Sequence, residues 1–192
     1  MTNSDTKAVT AFFDQMAREW DTMRLDYYDE RVIDHLADVS DLTKAATVAD
    51  IGTGTGFVAA GLGPRVGHVI GVDGSAEMLA VARRNLADLA IGNVELRQGD
   101  IVALPLDDDS VDAAVANMVL HHAPEPSAML AEMRRVVRPG GIVAICDEVE
   151  HPYEWMRTEH ADVWLGFSEE DVHRHFTEAG LGTPSIQTLG MQ

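Results

Sequence analysis

A single cysteine, Cys146, stands in a chain of 192 residues. It leaves no intrachain disulfide and no thiolate-built zinc site to hold the fold. Basic residues are scarce as well: 14 Lys and Arg face 32 Asp and Glu, for a net charge of −18. An acidic excess of that size repels phosphate backbones and anionic membrane surfaces, so nucleic acid is not expected as a partner. No apolar run approaches the roughly 18 residues of a membrane-spanning helix, so no membrane span is expected. The first residues, Met1 to Asp5, carry neither the basic region nor the apolar stretch of a signal peptide. A cytoplasmic protein is the expectation. Repeats and low-complexity tracts are also missing, which excludes solenoids. What remains, 46% hydrophobic and 24% charged residues, suits one globular domain over residues 1–192.

Apolar periodicity divides that domain in two. Val9, Phe12, Phe13, Met16 and Trp20 fall on one helical face, and Val32, Ile33, Leu36 and Val39 on another, so residues 1–45 read as helical. From residue 46 onward the period changes. Short β-branched runs at 47–51, 68–72, 94–97, 111–116 and 141–145 alternate with helical patterns at about 57–63, 76–90 and 126–137. Ser75 and Ser168 are placed as helix N-caps, the latter ahead of Val172, Phe176 and Ala179, with Gly180 as the stop. A last strand is expected at about Ser185 to Leu189. Strands that are nearly continuous in apolar residues are buried on both faces. The alternation therefore predicts an α/β fold: a doubly wound, mostly parallel, Rossmann-like sheet with helices on both faces.

The most informative local signal is Asp50-Ile-Gly52-Thr53-Gly54-Thr-Gly56, which leaves a strand and opens a helix. Glycines there let the backbone turn tightly and approach a ligand. The next strand ends in Asp73-Gly74, where a carboxylate can take both hydroxyls of a ribose. The third ends in Gly99-Asp100-Ile101, where a carboxylate can accept from an adenine amino group while Ile101 packs on the ring. Asp50, just before the glycines, would repel a pyrophosphate but attract an ammonium group. Three acids at three successive strand ends suit a cationic, adenosine-containing ligand better than a dinucleotide.

With those motifs in place the chain resembles a class I S-adenosylmethionine-dependent methyltransferase from about residue 8 to 190. Asn117-Met-Val-Leu-His121-His122 is similar to the segment after that family's fourth strand, and Arg138-Pro-Gly-Gly141 to the turn before its fifth. The Val-Leu-His-His segment resembles the branch of ubiquinone- and menaquinone-biosynthesis methyltransferases and their small-molecule relatives. The resemblance implies S-adenosylmethionine as cofactor, S-adenosylhomocysteine as product and a small-molecule acceptor. It implies cofactor contacts from Asp50, Gly52, Thr53, Gly54, Gly56, Asp73, Gly74, Met78, Asp100, Ile101 and Asn117. It also makes residues 1–45 a helical lid whose Trp20, Arg24, Tyr27 and Tyr28 line the acceptor pocket. Family members usually carry a seventh strand, which is not visible here. The exposed sheet edge then suggests a homodimer. Relatives that methylate arsenic use several cysteines, so arsenite is disfavoured as acceptor.

Methyl transfer is an in-line displacement, and a base is needed only where the nucleophile carries a proton. His122 and His121, just beyond the fourth strand, are the candidate catalytic residues. A structural role in the turn before Pro124 is the alternative for both. The run Asp147-Glu148-Val-Glu150-His151, with Glu154, Glu159 and His160, fits no metal motif; a solvated acidic face is expected and no metal is assigned. The last 46 residues hold ten acids and two bases, which favours a neutral or cationic acceptor. The alternative to an enzyme is a non-catalytic protein that binds S-adenosylmethionine for regulation or interaction.

Overall fold

The computed structural model describes residues 3–190, with the backbone alone for residues 3–6. Helices α1 (Asn3–Met16), α2 (Trp20–Met23) and α3 (Arg31–Val39) precede strand β1 (Thr47–Ile51). Then follow α4 (Phe57–Leu62), β2 (His68–Asp73), α5 (Ala76–Asp88), β3 (Val94–Gln98), β4 (Val111–Asn117), α6 (Pro126–Val136) and β5 (Val137–Cys146). Short α7 (Met156–Glu159) and longer α8 (Glu169–Glu178) close the order.

The sheet order is β3-β2-β1-β4-β5, and every pairing is parallel. The chain winds outward from β1 to β3 and then crosses back to place β4 beside β1. That reversal opens a crevice at the carboxyl ends of the central strands, where ligands of open α/β sheets bind. Alternation along β1 explains the two layers: Val48 points into a core with Val32, Ile33, Leu36 and Leu62. Ala49 and Ile51 point into the opposite one, with Met129, Leu130 and Met133 of α6. The doubly wound reading is borne out, with helices on both faces.

Local signals account for most element ends. Ser75 Oγ accepts from the Met78 amide at 3.0 Å. Ser168 and Asp171 form a reciprocal capping box at the start of α8. Gly180, with φ +73°, ends that helix. Two expectations need correction. Residues 181–190 form no strand, and Ile186 is 38% exposed; with only Ile186 and Leu189 apolar across 185–189, the segment has too little to bury beside β5. Leu89, inside the helical pattern expected over about 76–90, is 62% exposed because the helix ends at Asp88.

Candidate functional site

A cleft of about 640 Å³ lies at the carboxyl ends of β1, β2 and β4, a size typical of small-molecule and cofactor sites. Asp50, Gly52, Thr53, Gly54, Asp73, Gly74, Met78, Asp100, Ile101 and Asn117 all line it. Of the expected cofactor residues only Gly56 does not: at φ +84° it starts α4, and an added Cβ would stand 3.2 Å from the Ala82 Cβ of α5. Gly52, with φ +67°, presses against the Val119 side chain, so no larger residue fits there.

Hydrogen bonds set the three carboxylates differently. Asp73 accepts the Gly54 amide on one oxygen and the Ser75 amide on the other, both at 2.8 Å. Asp50 is buried and accepts from the Thr53 hydroxyl at 2.6 Å. Burial raises its pKa to about 7, with the Asp73 charge adding to the shift against its hydrogen bonds. Burial also raises the pKa of Asp73. Asp100 is exposed and accepts the Val102 amide at 3.1 Å, holding the turn that presents Ile101. Asn117 is buried in the cleft wall, and its Oδ1 has no hydrogen-bond partner.

The N-terminal helices cover this cleft. Asp14 accepts from Ser75 Oγ at 2.6 Å, and Asp21 accepts from Thr55 Oγ1 at 2.6 Å and Asn85 Nδ2 at 2.9 Å. These contacts join α1 and α2 to the glycine loop and to α5. Phe13 stands edge-on to His122 at 4.9 Å and to Trp20 at 5.3 Å. Periodicity alone gave these side chains to a helix face; the acids that tie the helices down carry no sequence signal of their own.

The four expected acceptor residues separate. Trp20 and Tyr28 line the cleft. Tyr27 faces a second cavity of about 20 Å³ and lies 3.2 Å from His160 Nε2 through its hydroxyl. Arg24 lines neither cavity; its guanidinium lies 3.8 Å over the Phe57 ring.

The two histidines also separate. His122 lines both cavities, and burial, aided by the neighbouring His121, holds its pKa well below the usual imidazole value. His121 lines only the small cavity, and its Nδ1 lies 2.7 Å from Asp147 Oδ1. Burial opposes its charge, but the Asp147 carboxylate wins and raises its pKa to about 9. Asp147 also accepts the amides of Val119, Leu120 and Glu148. The solvated acidic face expected over 147–160 holds for Glu150, Glu154 and Glu159 but not for Asp147, whose side chain is 7% exposed, nor for Glu148 and His151. The latter two side chains are each 14% exposed and pair at 2.9 Å, because residues 165–167 fold back to bond with 149–151. Asp162, which the sequence reading passed over, is buried beside them, and burial raises its pKa to about 6.

Comparison with known proteins agrees with this geometry. Residues 49–145 match a family described as "Methyltransferase domain". Over 108 residues the chain is 46% identical to the arsenite methyltransferase of Halobacterium salinarum, covering 54% of this chain and 27% of that protein. Over 154 residues it is 35% identical to the demethylmenaquinone methyltransferase of Clavibacter sepedonicus, covering 78% and 61%. The chain thus spans less than two thirds of these relatives. A crystal structure of a SAM-dependent methyltransferase from Aquifex aeolicus superposes with a TM-score of 0.71 at 28% identity, covering 87% of each chain. The chain belongs to the methyltransferase-domain family, on the class I S-adenosylmethionine-dependent branch that includes the demethylmenaquinone and hydroquinone methyltransferases.

Proposed function

We propose that this chain transfers the methyl group of S-adenosylmethionine to a small, neutral or cationic acceptor. One observation carries the reading: three strand-end carboxylates, two left-handed glycines and an unpartnered Asn117 Oδ1 converge on one cleft. The donor set fits that cofactor. Buried Asn117 Oδ1 lacks a donor, which costs free energy unless a ligand supplies one. Asp50 and Asp73 add negative charge suited to a cation, and Met78 and Ile101 add apolar surface.

When bound, the cofactor supplies a methyl group on a positive sulfonium. The residues of this chain do the rest. Asp50, Thr53 and the backbone at Gly52 and Gly54 would hold the amino-acid end, Gly74 and Asp73 the ribose, and Asp100, Ile101 and Met78 the adenine. Asn117 would contribute its backbone and its free amide oxygen beside the transferred group. Helices α1 to α3 would form the lid, excluding water and placing the acceptor against Trp20 and Tyr28. Alignment of this kind supplies much of the rate in a displacement. Where the acceptor carries a proton, His122, kept neutral by burial, is placed to take it, while His121 and Asp147 fix the turn behind it. Tyr27 and Arg24 support the lid.

The −18 charge supports a small molecule over nucleic acid. Among the described residues no helix is long and apolar enough to cross a membrane, and the single cysteine suits a reducing compartment such as the cytoplasm. Cys146, with its pKa raised by burial to about 11, is a poor arsenic ligand, so arsenite is not the acceptor we favour. Strand β5 pairs only with β4 among the described residues, and a homodimer through that edge is part of the proposal; sedimentation velocity tests it.

Calorimetry with S-adenosylmethionine, S-adenosylhomocysteine and NAD tests the core of the reading. The first two are expected to bind and NAD is not. NAD binding without S-adenosylmethionine binding would overturn it. Labelled methyl passing from cofactor to a metabolite extract separates an enzyme from a non-catalytic binder.

A further inference from the structure

Beside the cleft, and outside the cofactor contacts, three buried side chains converge. His121 Nε2 lies 3.7 Å from Asp162 Oδ1, and His122 Nδ1 lies 3.8 Å from the same oxygen. These separations are too long for hydrogen bonds. Neither carboxylate oxygen of Asp162 has a hydrogen-bond partner, although its side chain is 1% exposed. A buried carboxylate without donors is costly. His121 stands close enough to oppose the charge, but among the described residues neither oxygen receives a hydrogen bond, and that place is left for a ligand.

We propose that His121 Nε2, His122 Nδ1 and Asp162 Oδ1 form a binding site for a divalent transition-metal ion, with zinc the best match. Nitrogen and oxygen ligands of a tetrahedral zinc at ordinary bond lengths stand about 3.4 Å apart. Contracting the observed spacings by a few tenths of an ångström reaches that value. Two imidazoles and one carboxylate favour zinc and its neighbours over magnesium or calcium, which prefer oxygen.

The surroundings support the assignment independently. Asp147 already accepts three backbone amides. It is therefore an acceptor toward His121 Nδ1 as well, so the proton an ion would displace is the one on Nε2, and the lone pair exposed there faces Asp162. A histidine whose second nitrogen donates to a carboxylate is the usual supporting arrangement of a metal ligand. His122 Nδ1 is held by a 3.3 Å hydrogen bond to the Ala161 carbonyl, which an ion would replace. The adjacent cavity of about 20 Å³ has room for a water-sized occupant. Tyr27, Glu148 and His160 form its further walls, so a fourth ligand of the ion would come from that side.

Trp20, Tyr28, Met118 and His122 line both this cavity and the large cleft, so an ion here would stand at the wall of the acceptor site. Its role rests on the methyltransferase reading: an acceptor hydroxyl on the open position would lose its proton more readily. The ion would then replace His122 in that task, with His122 serving as ligand. The site itself does not depend on that reading.

The test uses the untagged full chain, stripped with a chelator and titrated with zinc in the absence of cofactor. One ion per chain is expected, with release of protons on binding, and magnesium is expected not to compete. Asp162→Asn should weaken that ion by about 100-fold or more, and Asp147→Asn by about 10–100-fold. Equal affinity in wild type and Asp162→Asn would overturn the proposal, since surface histidines would then account for the binding. Cobalt in the unmutated chain gives a readout free of folding effects. Intense visible bands of a four-coordinate ion are expected, and the weak spectrum of aqueous cobalt would overturn the site. A separate titration with S-adenosylmethionine keeps failure of the metal site distinct from failure of the methyltransferase reading.

Discussion

Asp73 and Gly54 meet across 19 residues of sequence through a 2.8 Å hydrogen bond from the Gly54 amide to the Asp73 carboxylate. The bond ties the end of β2 to the loop after β1, so one side chain both shapes the glycine loop and offers charge to the cleft. Asp73→Ala removes both functions and strands the Gly54 and Ser75 amides, at about 1–3 kcal/mol for each group left unsatisfied. S-Adenosylmethionine affinity is expected to fall at least about 30-fold by calorimetry, with a lowered melting temperature. Unchanged affinity would remove Asp73 from the ribose contact.

Gly52→Ala tests the loop from the other side. At φ +67° a side chain is strained, and the new Cβ would stand 2.8 Å from Val119 Cγ1. Backbone strain and overpacking together should cost about 2–4 kcal/mol. A lower urea midpoint with an unchanged denaturant slope is the expected signature.

The cleft charge predicts a pH dependence. Burial raises Asp50 to about 7, above the ordinary carboxylate value. In the ligand-free fold the carboxyl is therefore mostly protonated at pH 6 and mostly ionised at pH 8. The ionised form attracts the cofactor ammonium, so affinity should increase as pH rises through about 7. The stability linkage has the opposite sign: with its folded pKa raised, Asp50 favours the fold below the unfolded carboxylate pKa and withdraws that support as pH rises towards 7. Calorimetry at pH 6 and pH 8 should show tighter binding at the higher pH, and Asp50→Asn should flatten the difference.

Much of this arrangement was legible in the chain. Short, nearly continuous apolar runs placed all five observed strands, because residues such as Val48 and Ile51 must fill cores on opposite faces of the sheet. The glycine loop and strand-end acids marked the cleft because those positions require special backbone or charge. Asp162 was not legible, since nothing around it in sequence signals that 150–167 folds back to bury it beside His121. Arg24 was misplaced for a related reason: a cation near aromatics looks the same in sequence whether it faces a ligand or stacks on Phe57. The 185–189 segment alternates weakly and lacks the paired neighbour that would make it a strand.

Asp21 is the least expected of the structural ties, and its removal tests whether α2 is held by it. Its carboxylate receives Thr55 Oγ1 from the glycine loop and Asn85 Nδ2 from α5, while Asn85 also donates to the Thr55 carbonyl. The side chain is 42% exposed, so solvent screening limits the stabilisation to about 1 kcal/mol. Global stability should therefore change little in Asp21→Ala. Local opening should change more, because α2 has four residues and no buried side chain to anchor it. Hydrogen exchange at α1 and α2 amides is expected to speed up several-fold while β1 and β4 stay protected. Faster exchange across the whole sheet would mean that Asp21 supports the core, and unchanged exchange that the aromatic contacts of Phe13 and Trp20 hold the helices alone.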